Sequence, residues 1–198
     1  ANQDVPQDHI FFSSLYHFSI KNKIKYIISG GNLATEAIFP KNWHGSAMDS
    51  INLKHIHKTY GNNKLRSYKT ISFFQYYILY PILYGMRTIR PLNYLNYNKK
   101  EALIELKKIG YKDYPNKHGE SIFTKFFQNY YLPVKFGYDK RKPHYSSMIA
   151  SGQITRNDAL NLINKKLYSD NELKNDIEFI MKKLELSKED FDKIMKTK

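Results

Sequence analysis

The sequence predicts an α/β fold that is rich in helix, and three local patterns support this prediction. Residues 8–20 carry apolar side chains at helical spacing, so they form a helix that begins near Asp8. The run 26–28 is aromatic and β-branched, which is typical of a buried strand. A turn with two glycines then leads into a short helix over residues 33–39, which Pro40 ends. A helix, a strand, a turn and a helix in this order are the alternation of α/β proteins.

The turn formed by Ser29, Gly30, Gly31 and Asn32 is the first candidate binding site. Glycine accepts φ values that are closed to other residues, so the chain turns sharply here. A strand that enters a helix through such a turn places backbone N–H groups at the helix N-terminus, where they favour an anion. Ligands of open α/β sheets lie at such strand ends. A tight corner without a ligand explains the spacing equally well.

The other elements follow from local start and stop signals. A second strand is predicted at residues 88–92, and because two strands make a poor sheet we expect the chain to be part of a larger domain. Helices are predicted at 49–60, at 73–84 with a bend at Pro81, between Asn98 and Gly110, at 120–132 before Pro133, and from about Ser146. Three tail helices begin at Thr155, Ser169 and Ser187, each with an acidic residue three positions later. We therefore divide the chain into an α/β domain, residues 1–150, and a helical appendage, residues 151–198.

Composition limits the chemistry. The 198 residues include no cysteine, which excludes disulfides, thiolate metal sites and a cysteine nucleophile. No apolar run is long enough to span a bilayer and no signal peptide is visible, so we expect a cytoplasmic protein without a transmembrane segment. The net charge is +14, and residues 1–150 hold 22 Lys and Arg against 9 Asp and Glu, which favours an anionic partner. His55 and His57 would lie on different faces of a helix, so no metal site is predicted.

Two cationic clusters flank the aromatic helix predicted at residues 120–132. Lys117, His118 and Glu120 precede and begin this helix, and Lys140, Arg141 and His144 follow it. Together they could bind phosphate groups from two sides. The alternative is a solvated basic surface.

One comparison fails on the residues themselves. Ser29, Gly30 and Gly31 match the start of the S-G-G-x-D-S loop of PP-loop ATP pyrophosphatases, but Leu33 stands at the Asp position and Ala34 at the second Ser position. This turn is therefore not the pyrophosphate-binding loop. A different role near the nucleotide stays open.

Three stretches nevertheless resemble the N-acetyl sugar amidotransferase family, PP-loop enzymes of lipopolysaccharide and related surface-glycan biosynthesis. They are residues 26–36, residues 117–124 with 132–137, and residues 139–141 leading to 151–156, and the resemblance runs in order over nearly the whole chain. It implies an adenine-nucleotide hydrolase-like fold with three layers, α/β/α. Members of the family carry an upstream S-G-G-x-D-S loop and upstream cysteines. We therefore expect this chain to be the C-terminal part of such an enzyme, folded but inactive alone.

The resemblance also implies a reaction. ATP with Mg²⁺ would activate the acetamido oxygen of a nucleotide-linked N-acetyl sugar as an adenylate, and ammonia from a separate glutaminase subunit would displace AMP to leave an acetamidino group. By matching position, the nucleotide side would be lined by Ser29, Gly30, Gly31, Asn32, Thr35 and Glu36. The implied catalytic residues are Lys117, His118, Glu120 and Arg141, and those for the sugar are Lys140, His144 and Arg156.

Two other functions compete with this one. Arg90-Pro91-Leu92 resembles a strand-end motif of tRNA lysidine synthetases, and the basic charge suits a piece of a PP-loop enzyme that modifies RNA. No nucleic-acid-binding module is visible, so we expect no nucleic-acid partner. The third possibility is a non-catalytic interaction module that uses the aromatic and basic surface.

Overall fold

The computed structural model describes residues 5–43, 46–112 and 121–197. The part of the chain that it describes is rich in helix and contains a sheet of two strands. The chain divides into two compact units, Ala1–Gly31 with Pro40–Leu95 and Asn32–Phe39 with Asn96–Lys198, so the predicted boundary at residue 150 lies inside the second unit. Within the described residues, no helix is both long and apolar enough to cross a membrane.

The first unit contains helix α1 (Val5–Lys21), strand β1 (Tyr26–Ile28), helix α3 (Ser50–Tyr60), a π-helical segment (Gln75–Leu79), helix α4 (Tyr80–Leu83) and strand β2 (Arg87–Ile89). The two strands pair in parallel, with Tyr26 opposite Arg87 and Ile28 opposite Ile89. Strand β1 has the predicted bounds, whereas β2 ends before Pro91, which begins a 3₁₀ turn.

The prediction that β1 is buried is wrong for the first unit as the structure describes it. Tyr26 and Ile28 are 62% and 77% exposed. Ile27 packs on the core of this unit, which is formed by the buried side chains of Tyr16, Ile71, Tyr80 and Met86. A strand at the edge of so small a sheet has only one face to bury, so alternate residues are left outside.

The second unit contains the remaining helices. They are α2 (Leu33–Glu36), α5 (Lys99–Lys108), α6 (Ile122–Phe126), a π-helical segment (Phe127–Tyr131), α7 (Leu132–Phe136), α8 (Arg141–Ala150), α9 (Arg156–Ile163), α10 (Asp170–Lys183) and α11 (Lys188–Lys196). The tail helices begin after the predicted N-caps Thr155, Ser169 and Ser187. Ile180 and Phe191 of the tail helices share one core with Phe126, Phe127, Tyr131 and Leu132, which lie along the continuous stretch from α6 to α7.

The helix predicted to stop before Pro133 continues to Phe136. A π-helical turn makes this continuation possible, because the Leu132 N–H bonds back five residues to the Phe127 carbonyl and widens the helix next to the proline. The aromatic helix of the first unit passes Pro81 in the same way, with the Tyr80 N–H bonded to the Gln75 carbonyl. Helix α8 also differs from its prediction, since it begins at Arg141 rather than near Ser146. Pro143 lies in its first turn, where a proline is tolerated.

Candidate functional site

The second unit holds a pocket of about 350 Å³, a size within the range of about 300–1,000 Å³ that is common for ligand sites. It lies where helix α2, the start of α8 and the π-helical segment Phe127–Tyr131 come together. Its lining comprises Thr35, Glu36, Ile38, Phe39, Lys99, Gln128, Asn129, Asp139, Lys140, Arg141, Pro143, His144, Tyr145 and Leu167. The pocket thus brings together two groups of predicted site residues that are about a hundred positions apart in the sequence, those of α2 and those of α8.

One face of α8 holds α2 in place. His144 Nδ1 donates to the Thr35 carbonyl oxygen at 3.0 Å, and the Ser147 hydroxyl accepts from the Ile38 N–H at 2.9 Å. Ser151 donates its hydroxyl to the Ala34 carbonyl oxygen at 2.8 Å. These three side chains follow the helical spacing i, i+3, i+7, so they meet α2 as a single row. The backbone N–H and C=O groups at the ends of so short a helix have no partners within the helix, and these side chains supply hydrogen bonds to three of them.

Helix α2 is capped by Asn32, whose side-chain oxygen accepts from the N–H and the hydroxyl of Thr35. Thr35 is buried, whereas Glu36 is exposed and lines the pocket. Burial and the nearby Glu36 carboxylate both raise the pKa of Tyr97. Asn32 therefore has a structural role in α2, and Glu36 brings a negative charge to the pocket wall.

Arg141 lines the pocket, but its guanidinium is bound within the unit. Its Nε and Nη2 grip both oxygens of the Asp139 carboxylate, with the Nη2 bond at 2.7 Å, and Nη1 donates to the carbonyls of Leu162 and Lys165. Burial alone would raise the pKa of Asp139, but the hydrogen bonds and charge of Arg141 outweigh it and hold that pKa below its usual value. The predicted role of Arg141 at a phosphate stays a prediction, and the observed contacts tie the start of α8 to the end of α9.

Asn129 is unusual among the residues that line the pocket. Its Nδ2 atom is buried and is the one buried side-chain nitrogen or oxygen of the described residues that has no hydrogen-bond partner. Leaving such a donor unpaired costs about 1–3 kcal/mol. Asn129 lies in the middle of the π-helical segment, between the buried rings of Phe127 and Tyr131, and π-helical turns are frequent at functional sites.

The remaining walls of the pocket are cationic and apolar. Lys99 and Lys140 supply positive charge, and Gln153 fixes the start of α5 by accepting from the Lys99 N–H and donating to the Tyr97 carbonyl. Phe39 and Leu167 supply apolar surface. This set of groups fits a ligand that has both anionic and uncharged parts.

The part of the chain that the structure describes does not form a metal site from its own side chains. No three His, Asp or Glu side chains of residues 5–43, 46–112 and 121–197 come together as a metal-binding group. Mg²⁺ that accompanies a nucleotide is usually held by the phosphates, waters and only one or two carboxylates. Glu36 is a pocket carboxylate that fits such a role.

The other predicted site residues lie elsewhere or outside the described part. Ser29, Gly30 and Gly31 belong to the first unit, where the Ser29 hydroxyl accepts from the Gly31 N–H. We expected the turn to need the conformational freedom of glycine. At Gly30 it does not, because the φ angle there is one that other residues adopt and an added Cβ would meet no atom within 4 Å. Arg156 is exposed at the start of α9 and is not among the pocket residues. Lys117, His118 and Glu120 lie outside the described residues.

Sequence reasoning missed Asn129, Lys99 and Tyr145 as pocket residues. A signal for Asn129 was present, because Gln128 and Asn129 interrupt an otherwise aromatic run from Phe126 to Tyr131. Polar residues inside such a run are expected to face a polar site. Burial raises the pKa of the Tyr145 phenol, which therefore stays protonated at neutral pH. Nothing in the local sequence distinguished Lys99 from the lysines around it.

Residues 120–198 match a family model described as the C-terminal domain of WbpG-like proteins of lipopolysaccharide (LPS) biosynthesis. The match covers less than half of the chain and includes Asn129, Lys140, Arg141 and His144. It supports the LPS-biosynthesis part of the resemblance at a coarse level and does not extend to the turn at Ser29. No curated protein and no solved structure was found to match the chain.

Proposed function

We propose that this chain is part of an ATP-dependent amidotransferase that converts the acetamido group of a nucleotide-linked N-acetyl sugar into an acetamidino group during LPS or related surface-glycan biosynthesis. The observation that carries the proposal is the pocket of the second unit. It joins Thr35 and Glu36, which the resemblance assigns to the nucleotide, with Lys140, Arg141 and His144, which it assigns to the sugar and the chemistry. The match of residues 120–198 to a family of LPS biosynthesis supports the same biological setting.

The pocket residues have distinct tasks in this reaction. ATP, when bound, would activate the acetamido oxygen as an adenylate, and ammonia would then replace AMP. Lys140 lies half-buried at the start of α8, where its ammonium group stabilises the negative charge of phosphate oxygens. Arg141 positions Asp139 and the end of α9 and thereby fixes the shape of the pocket wall. Glu36 would hold Mg²⁺ together with the phosphates.

The proposal is tested on the complete enzyme, with the upstream loop of the family, by following AMP. We expect AMP formation that requires both an N-acetyl sugar nucleotide and ammonia, and Lys140→Gln should lower kcat/KM by about tenfold or more, as expected for loss of one charge-assisted bond. Lys166→Gln is the matched control, because Lys166 is 80% exposed and pairs only at 3.4 Å with Asp170. AMP formation that is independent of the sugar, or retention of RNA in place of sugar nucleotides, would contradict the proposal.

A further inference from the structure

The unpaired amide of Asn129 has no role in the assignments above. The buried Nδ2 atom is a hydrogen-bond donor that the described residues leave without an acceptor. In the π-helical segment Asn129 lies two positions from both Phe127 and Tyr131, whose side chains pack in the core and anchor the backbone that carries it. Because Nδ2 is closed to solvent, a ligand atom reaches it only if the amide turns about the Cβ–Cγ bond. The unpaired donor loses no hydrogen bond in this turn and gains one when a ligand brings an acceptor.

We propose that Asn129 is a specificity-determining residue that recognises the acetamido group of the sugar: its amide turns toward the pocket, and Nδ2 then donates to the acetamido carbonyl oxygen. This inference rests on the proposed function. It adds a residue and a role that the resemblance did not supply, namely selection of an N-acetylated sugar over one that carries a hydroxyl at the same position.

The chemistry of the surroundings favours an uncharged acceptor at Asn129. The amide is neutral and its Nδ2 atom is shielded from water, so a phosphate placed against it would lose its solvation without gaining an opposite charge. The cations of the pocket, Lys99 and Lys140, are the better partners for phosphate. An acetamido oxygen is neutral and a strong acceptor. Other neutral acceptors in the reaction are the ring nitrogens of adenine, the sugar hydroxyls and the carbonyls of a nucleotide base. The experiment separates them from the acetamido group, because hydroxyls and base are shared by the acetylated probes and UDP-glucose.

A site built around a buried donor rejects ligands that leave the donor unpaired. Asn129→Leu removes the donor while keeping a similar shape, and the control is Asn161→Leu, since Asn161 is exposed on α9. Because Nδ2 of Asn129 has no hydrogen bond to the described residues, we expect Asn129→Leu to keep or raise the melting temperature of the 198-residue chain. A fall of more than about 5 °C would indicate a structural role and overturn the proposal.

Binding is measured on the complete enzyme by calorimetry with UDP-N-acetylglucosamine, UDP-N-acetylgalactosamine, UDP-glucose and ATP. The unmodified enzyme should prefer at least one acetylated probe over UDP-glucose by about tenfold, as one hydrogen bond to a buried donor supplies. Asn129→Leu should reduce this preference to less than about twofold and leave ATP binding unchanged, and Asn161→Leu should change neither. A selective loss of ATP affinity would instead assign the amide to adenine and overturn the proposal.

A second measurement uses the unmodified chain alone. The side-chain NH₂ signals of Asn129, identified by their absence in Asn129→Asp, should shift on addition of an acetylated probe and not on addition of UDP-glucose. If the chain prefers acetylated probes but these signals do not move and Asn129→Leu retains the preference, the role of Asn129 is wrong and the proposed function stands. A complete enzyme that binds neither sugar nucleotides nor ATP would contradict both.

Discussion

His144 donates a hydrogen bond from Nδ1 to the carbonyl oxygen of Thr35 at 3.0 Å, across 109 residues of sequence. A carbonyl oxygen only accepts, so Nδ1 carries a proton. The contact joins α2, which the resemblance assigns to the nucleotide, with α8, which it assigns to the sugar and the chemistry. It therefore gives His144 a positioning role that is separate from any contact of Nε2 with a ligand.

The first prediction separates these two roles. His144→Ala leaves the Thr35 carbonyl without its donor and should lower the free energy of unfolding by about 1–2 kcal/mol. His144→Asn keeps a donor near the position of Nδ1 and should retain most of the stability. Urea denaturation of the 198-residue chain measures both. Equal stability of the alanine variant and the unmodified protein would show that the hydrogen bond contributes nothing.

The second prediction concerns Arg141→Lys, which keeps the charge but loses the planar fork. Lysine cannot grip both oxygens of Asp139 and also reach the carbonyls of Leu162 and Lys165, so we expect a loss of about 2 kcal/mol in the free energy of unfolding at pH 7. Lys142→Arg, on the exposed neighbour, is the control. In the complete enzyme, a loss of nucleotide or sugar affinity larger than the loss of stability would support the additional role of Arg141 at a phosphate.

The pH dependence gives this prediction a second readout. The pKa of Asp139 is lower in the folded protein than the usual 3.8 of an aspartate, so its ionised form stabilises the fold above about pH 4. That stabilisation is lost as the pH falls through the folded pKa. The difference between Arg141→Lys and the unmodified protein should therefore be full at pH 7 and shrink below about pH 4. A difference that is constant from pH 7 to pH 3 would show that Asp139 is not its source.

Features that depend on neighbouring residues could be predicted from the sequence, and the pocket could not. Asn98, Thr155, Ser169 and Ser187 cap their helices as expected, because a cap is decided by the next three residues. The continuation of the helix past Pro133 depends on a π-helical turn that apolar spacing does not reveal. The pocket depends on α2 meeting α8, and only the match of residue types with a known family suggested that these segments act together.

A buried ionic cluster in the second unit leads to the third prediction. Lys125 Nζ contacts Asp176 at 2.7 Å and Glu172 at 2.8 Å, and the Tyr168 hydroxyl donates to Asp176. The side chains of Lys125 and Asp176 are only 13% and 10% exposed, so Asp176→Asn should cost about 3 kcal/mol of unfolding free energy. Asp192→Asn removes an exposed partner of Lys188 and should cost less than about 0.5 kcal/mol. Equal effects in the two variants would contradict this reading of the cluster.

The same cluster predicts sensitivity to alkali. Burial alone would lower the pKa of Lys125, but its bonds to Asp176 and Glu172 outweigh burial and raise that pKa above the usual 10.5 of a lysine. Burial and the hydrogen bond to Asp176 also raise the pKa of Tyr168 above 10.0. When the pKa of a group is higher in the folded protein than in the unfolded protein, the group stabilises the fold fully at pH values below its unfolded pKa. That stabilisation is lost as the pH rises through the folded pKa. Thermal stability should therefore fall above about pH 10, and Asp176→Asn should reduce the slope of that fall.

The last prediction tests the turn after β1, where sequence and structure give different reasons for glycine. Gly30 has an ordinary φ and open space around its missing Cβ, so Gly30→Ala should keep or raise stability by about 0.4–1 kcal/mol through the unfolded state. Gly137→Ala is the matched control, because Gly137 ends α7 with a φ of 72° and the same change there should cost about 1 kcal/mol.

If nothing in the fold requires glycine at position 30, a requirement can only come from a ligand that approaches the backbone. Under the proposed function, Gly30→Ala in the complete enzyme should therefore weaken ATP binding by about tenfold, the equivalent of about 1.4 kcal/mol, while its melting temperature is unchanged or higher. Calorimetric titration of ATP measures this effect. Unchanged ATP affinity together with normal stability would remove Gly30 from the nucleotide side of the site and leave the corner without a ligand as the correct interpretation of this turn.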